Sequence, residues 1–191
     1  MAKLVAANGL LWNINKLNTY LDQTDGVASG TGVSTVQGLT AIQTAVLKLT
    51  NTPIPTVDAT TNGAQGSLKV FTFPAGVITI VGASTDLTIA RVGTAIAAGA
   101  AVVGAVGSVT AGVDATLTST EANIVGSTVS TLTAGAGVTK GVNGSPVTLN
   151  GTQTNAAAWL NFAIPDADSS GNDTLTVNGT ITINYLLSGD N

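Results

Sequence analysis

The spacing of apolar residues changes along this chain. Near the start they recur three and four positions apart, as Leu10, Leu11, Ile14, Leu17 and Leu21 and then as Val36, Leu39, Ile42, Val46 and Leu49. That interval gathers each set on one side of a helix, so two amphipathic helices are predicted, with residues 26–32 as the loop between them. Ser34 and Gln37 stand at the separation of a capping box ahead of the second helix. Residues 51–67 are rich in Pro, Thr, Gly and Asn with little periodicity, which predicts a linker or extended arm. Pro53 and Pro55 bias Thr52 and Ile54 toward extended backbone.

Beyond residue 67 the rhythm becomes that of strands. Short β-branched runs occupy 68–73, 77–81 and 86–90, divided by Pro74-Ala75-Gly76 and by Gly82-Ala83-Ser84. Residues 102–109, 114–117 and 147–149 are weaker runs of the same kind. The clearest strand is the last. Leu175, Val177, Ile181, Ile183 and Tyr185 alternate with Thr176, Asn178, Thr180, Thr182 and Asn184, giving one apolar face. Asn178-Gly179 invites a two-residue hairpin turn. Such a turn would set Val177 opposite Thr180 and Leu175 opposite Thr182, mixing both faces, whereas an unbroken strand keeps the apolar side chains together. A single long strand is therefore predicted. Leu160, Phe162 and Ile164 alternate in the same way before Pro165 ends that run.

Many short strands punctuated by turns, with no reliable crossover helix, predict an all-β fold, an antiparallel β-sandwich or barrel of the class that includes jelly rolls, with an N-terminal helical or extended arm. The expected organisation is a helical attachment segment over 1–50, a linker over 51–67 and the sandwich over 68–191.

Composition narrows the chemistry. The 191 residues include no His and no Cys, and only 8% are charged, against roughly 25% in an ordinary domain. Ser-His and Cys-His nucleophilic mechanisms have no residues to run on, so no enzyme and no cofactor is expected. A net charge of −4 with no basic run argues against nucleic acid. Residues 1–16 lack the apolar core of a signal peptide. The apolar stretch 92–113 is mostly Ala and Gly, interrupted by Thr94, Ser108 and Thr110, and reads as glycine-punctuated strands with no membrane partner. So little charge on a surface predicts that part of it faces other protein, in an obligate homo-oligomer, expected as a trimer.

Two candidate sites follow. Leu10, Leu11, Ile14, Leu17 and Leu21 are the candidate contact face of the first helix. Asp166, Asp168 and Asp173 form the one acidic cluster, a possible ligand loop. Its first half matches a calcium loop, but at the twelfth position, counting Asp166 as the first, stands Val177 in place of a bidentate Glu. The alternative is a solvated turn whose Asp and Asn side chains bond their own backbone. Glu121 is the sole Glu, and nothing in the sequence brings an Asp toward it as a glycosidase pair. Gly135 to Gly141 reads as a Gly-rich loop without the order of a phosphate-binding one. Trp12, Tyr20, Trp159 and Tyr185 suit packing better than a sugar platform.

Phe71-Thr72-Phe73-Pro74-Ala75-Gly76, running into Val77-Ile78-Thr79-Ile80-Val81-Gly82, resembles the start of small virion structural proteins of tailed bacteriophages. Trp159 to Asp168, followed by Asp173 to Ile183, is similar to their closing pair of strands around an acidic loop. The resemblance covers residues 68–191. It implies a jelly-roll-like domain, commonly trimeric, that decorates and cements the capsid exterior by bridging subunits of the major capsid protein. A receptor- or glycan-binding module of a head fibre or tail spike is the alternative.

Overall fold

The computed structural model describes residues 27–38, 42–142, 146–149 and 156–188. Eleven strands follow in order: β1 (Val27–Ala28), β2 (Val33–Gly38), β3 (Gln43–Asp58), β4 (Ala64–Thr72), β5 (Val77–Arg91), β6 (Ala101–Gly107), β7 (Val125–Thr131), β8 (Ala136–Val142), β9 (Val147–Leu149), β10 (Ala157–Ile164) and β11 (Asp173–Ser188). Single turns of 3-10 helix lie at Ser119–Glu121 and Asp166–Asp168, and no α-helix occurs among the described residues.

The pairing is nested and antiparallel throughout. β3 lies beside β11, β4 beside β10, β5 beside β8 and β6 beside β7. Two layers result, β3-β11-β5-β8 and β4-β10-β6-β7. Taken as eight strands, first pairs with last, second with seventh, third with sixth and fourth with fifth, which is the double Greek key of a jelly roll. The layers join where the end of β3 pairs with the start of β4, at Val57↔Gln65 and Asp58↔Ala64. The whole is thus one curled antiparallel sheet forming a half-barrel. At the far side β7 and β8 are consecutive in the chain, and the hydroxyls of Thr128 and Thr139 meet between them. β2 extends the first layer beyond β3, β9 adds to β5, and β1 adds to β4.

Alternation fills the space between the layers. Leu47, Ile54, Ile78, Ile80, Leu87, Ile89, Leu175, Val177, Ile181 and Ile183 meet Val70, Val102, Val106, Leu160, Phe162 and Ile164 in one core. Each such side chain, fully buried, contributes about 1.5–3 kcal/mol relative to exposure. One end is closed by aromatic rings. Tyr185, fully buried, lies 6.1 Å from Phe71 and 5.3 Å from Phe73, and the two Phe rings meet edge-on at 5.0 Å.

The predicted long C-terminal strand is present, and Gly179 supports it by a bulge, not a turn. Thr50 and Asn51 of β3 oppose Asn178 alone, and Asn178 Oδ1 accepts the Asn51 N–H at 2.7 Å. Gly179 has φ +132°, and a Cβ there would stand 2.2 Å from the Asp86 carbonyl oxygen. Only glycine lets β5 pass this close.

Other expectations are corrected. Within 36–49, the described residues 36–38 end β2 and 43–49 begin β3 in place of a helix. In β3 the inward set is Gln43, Ala45, Leu47 and Leu49, while Ile42 is exposed, so the residues that mimic a helical stripe divide between two faces. Residues 51–67 are no linker. β3 continues through Pro53 and Pro55, which pair with Thr176 and Thr174 of β11. Beyond Leu49 the opposite edge of β3 has no β2 residue beside it, and there the missing proline N–H groups cost nothing. Runs 77–81 and 86–90 are one strand. An extra residue near Gly82 switches which parity faces inward, and this imitates a break. Residues 114–117 form a loop, in which Asp114 Oδ1 accepts the Thr116 N–H and Oγ1–H, both at 2.8 Å. Gly135 to Gly141, expected as a loop, supplies β8. The first predicted helix, with Trp12 and Tyr20, lies outside the described residues.

Gly179→Ala is expected to destabilise the fold by about 2 kcal/mol or more through backbone strain and collision. Urea denaturation of the variant beside the native protein measures it; an unchanged midpoint would contradict the bulge.

Candidate functional site

The outer faces of the two layers are treated differently by the chain. Behind β10 the sheet is covered. Residues 108–124, linking β6 to β7, fold back so that Leu117, Ala111 and Ala122 pack on Ala105, Ala163 and Val103. Asn161, fully buried in that face, holds the cover down. Its Nδ2 donates to the carbonyls of Val109 and Glu121, each at 2.8 Å, and its Oδ1 accepts Ser67 Oγ–H at 2.8 Å and the Ala111 N–H at 3.1 Å. All four bonding positions of the amide are occupied, which makes its burial affordable. Glu121 clasps the same loop, its carboxylate accepting the N–H groups of Thr118 at 3.0 Å and of Gly112. This accounts for the sole Glu without any partner carboxylate.

The outer face of the other layer is open. Its cross-strand rows read Val46, Thr182, Ser84, Val142 and, one step along, Ser34, Lys48, Thr180, Asp86, Lys140. Asn178, Thr88 and Val138 form the next row. No described element packs over this face. It is floored by short uncharged side chains, and the three charges lie in a single row. Lys140 Nζ and Asp86 Oδ2 pair at 3.1 Å, with both side chains about two-thirds exposed (68% and 65%). Such a pair adds little stability. A shallow trough of about 480 Å³ runs beside it, lined by Ser84, Asp86, Thr88, Gly179, Thr180 and Thr182.

The acidic cluster sits elsewhere, in the β10–β11 connection, where it secures the neighbouring loop. Asp173 Oδ1 accepts the N–H groups of Gly93 and Thr174, both at 2.7 Å, and Oδ2 accepts Ile96 N–H at 3.0 Å. Asp168 Oδ2 accepts Ala101 N–H at 2.9 Å. Asp166 is exposed and contributes its carbonyl to the turn. Partial burial opposes ionisation of Asp173, but the N–H groups of Ile96, Thr174, Gly93 and Ala95 outweigh it and hold its pKa below the usual carboxylate range. Arg91 completes the lock, its guanidinium donating to the Ile96 carbonyl at 2.6 Å. Among the described residues no group of three or more His, Cys, Asp or Glu side chains could hold a metal ion.

Of the remaining residues singled out in the sequence, Tyr185 is core and Trp159 is half-buried on the covered side of β10. Leu10, Leu11, Ile14, Leu17 and Leu21 lie outside the described residues. No helix among the described residues is long and apolar enough to cross a membrane. The open face escaped sequence reasoning, because its rows form only once registers are known; the Thr and Asn alternation of β11 was the available signal.

No family model and no curated protein matches the chain. Among solved structures, an arabinose-bound α-L-arabinofuranosidase is similar over 85% of this chain and 25% of its own, with 9% identity and a TM-score of 0.36. The enzymatically active domain of bacteriophage CBA120 tailspike protein 4 is similar over 86% of this chain and 20% of its own, with 11% identity and a TM-score of 0.24. This chain spans a quarter or less of those chains. Neither likeness bears on function.

Asn161→Leu strands four polar groups of the covered face and is expected to cost about 3 kcal/mol or more. Hydrogen exchange should rise across residues 108–122; unchanged protection there would contradict the clasp. The depressed folded-state pKa of Asp173 sets a pH window. Its contribution is complete above the unfolded pKa of about 3.9 and is lost as pH falls through the lower folded value. Asp173→Asn should therefore be less stable than the native protein at neutral pH, with the gap closing as the pH falls below the ordinary carboxylate range; denaturation midpoints from neutral to acid pH measure it, and a gap that widens on acidification would refute the assignment.

Proposed function

We propose that this protein is a structural component of a tailed-phage virion, which decorates the capsid exterior and cements it by bridging subunits of the major capsid protein. The observation that carries the reading is the five-strand face, open among the described residues, sparsely charged and floored by Thr, Ser and Val, on a chain that covers its other outer face with its own loop. A surface of this kind is stabilised by contact with protein, since little charge is desolvated when it is covered. The segments carrying the phage resemblance support the same reading. Phe71 and Phe73 build the closed aromatic end, and β10 and β11 flank the loop locked by Asp168 and Asp173.

The mechanism would be mechanical. Each interface formed on the shell raises the free energy of opening it, by about 25 cal/mol for each Å² of apolar surface removed from water. The jelly roll transmits load because it is tied across its layers at β3–β4 and clamped at both loop ends. Self-association belongs to this reading, as a trimer in keeping with the resemblance. A second reading, a receptor- or glycan-binding module of a head fibre or tail spike, draws on the hydroxyl-lined trough beside Asp86.

Mass spectrometry of purified particles, with copy number, separates them. Cement should be present in hundreds of copies over the shell, a fibre tip in few, and absence from particles would overturn both. Removal of residues 1–26 leaves every described strand in place, so such a protein should stay folded by circular dichroism. If those residues carry attachment, it should also lose binding to undecorated capsids.

A further inference from the structure

We infer that the open face formed by β2, β3, β11, β5 and β8 is where a second copy of this chain docks, sheet against sheet, about a two-fold axis running along β11. Charge placement gives the register. In the central row, counting outward from Thr180 on β11, Lys48 lies one strand to one side and Asp86 one strand to the other. Ser34 lies two strands out beyond Lys48, and Lys140 two strands out beyond Asp86. A two-fold axis along β11 exchanges the sides within each row. Lys48 of each copy then stands over Asp86 of the other, twice, and Lys140 stands over Ser34.

This register sets no cation over another cation and spends both Lys48 side chains, which have no ion pair among the described residues. The rows on either side match as well. Val46 faces Ser84 across the axis, while Thr182 and Asn178 face their own copies. Shifting the axis to lie between β5 and β8 would set Asp86 opposite Lys140 but leave β2, β3 and β11 uncovered.

Size agrees with the charge pattern. β3, β11 and β5 run alongside one another for about twelve residues, and with the shorter β2 and β8 they present roughly 800 Å² at about 4.8 Å between strands and 3.3 Å per residue. That matches the roughly 800 Å² per partner of a stable specific interface. The axis keeps the two β11 strands parallel, and the twist of each sheet keeps the central row in contact while the corners diverge. The pairing is a two-fold contact distinct from the trimer of the reading above, and it does not rest on attachment to a capsid.

The chain has no Cys, so single-Cys variants report cleanly. Thr180→Cys places a thiol on the axis, and Val129→Cys, on the exposed side of β7 in the other layer, serves as control. A short bismaleimide should link two copies of full-length Thr180→Cys protein and leave Val129→Cys unlinked. Lys48→Glu sets two carboxylates against each other across the axis and should weaken pairing about tenfold or more in sedimentation equilibrium, with the fold intact by circular dichroism. Thr180→Cys protein that stays uncrosslinked at high concentration, or equal linking of both variants, would overturn the pairing. If Thr180→Cys fails to fold, Lys48→Glu alone decides, and unchanged association overturns it. Monomers that still decorate particles would sink this pairing only; linked dimers absent from particles would sink only the virion reading.

Discussion

Strand β11 is the constraint on which the architecture depends, because it is hydrogen-bonded along both edges, to β3 on one side and β5 on the other. A strand held on both sides cannot rotate, so its alternation decides at once which side chains become core and which become surface. Leu175, Val177, Ile181, Ile183 and Tyr185 point inward, and with them the inward sets of β3 and β5 are fixed. Where the neighbours fall out of step the mismatch is absorbed as bulges, at Thr50-Asn51 and near Gly82, and the core face stays continuous.

The polar interior follows a second rule, the need to satisfy backbone groups where connections leave the ladders. Carboxylates do this here. Asp173, Asp168 and Glu121 each accept N–H groups from loops that lie far away in the sequence or fold back on themselves. Asp58 and Asp114 do the same within single turns, so five of the ten acidic residues serve loop geometry. A cluster that reads as a ligand site from its residue types is, in its contacts, a fastening between the β5–β6 and β10–β11 connections.

What was legible in the sequence was what depends on period alone. The alternation of 175–185 announced β11, and Leu160, Phe162 and Ile164 announced β10, because apolar parity survives without knowledge of partners. The all-β class followed from such runs, whereas the jelly-roll-like expectation came with the resemblance. The signal failed where bulges reverse parity, as in β5, and where prolines lie inside a strand, as in β3. It failed again where small residues such as Gly137 and Gly141 replace the β-branched residues that mark a strand, as in β8. The apparent helix over 36–49 arose because Val46 and Leu49, three apart, belong to opposite faces of one strand. Asn161 was unreadable as a hub, since its partners are Ser67 in β4 and Val109, Ala111 and Glu121 in the β6–β7 connection, all at least 40 residues away in the chain.

The prolines of β3 have an effect that reaches beyond a single molecule. Past the end of β2, the free border of the first layer carries Pro53 and Pro55, two consecutive outward positions that offer no amide hydrogen. An incoming chain would find acceptors there but no alternating donors, so lateral zipping into endless ribbons stops at this border. The two imide positions thus act locally, as a stop to strand addition along the stretch of β3 that β2 leaves uncovered.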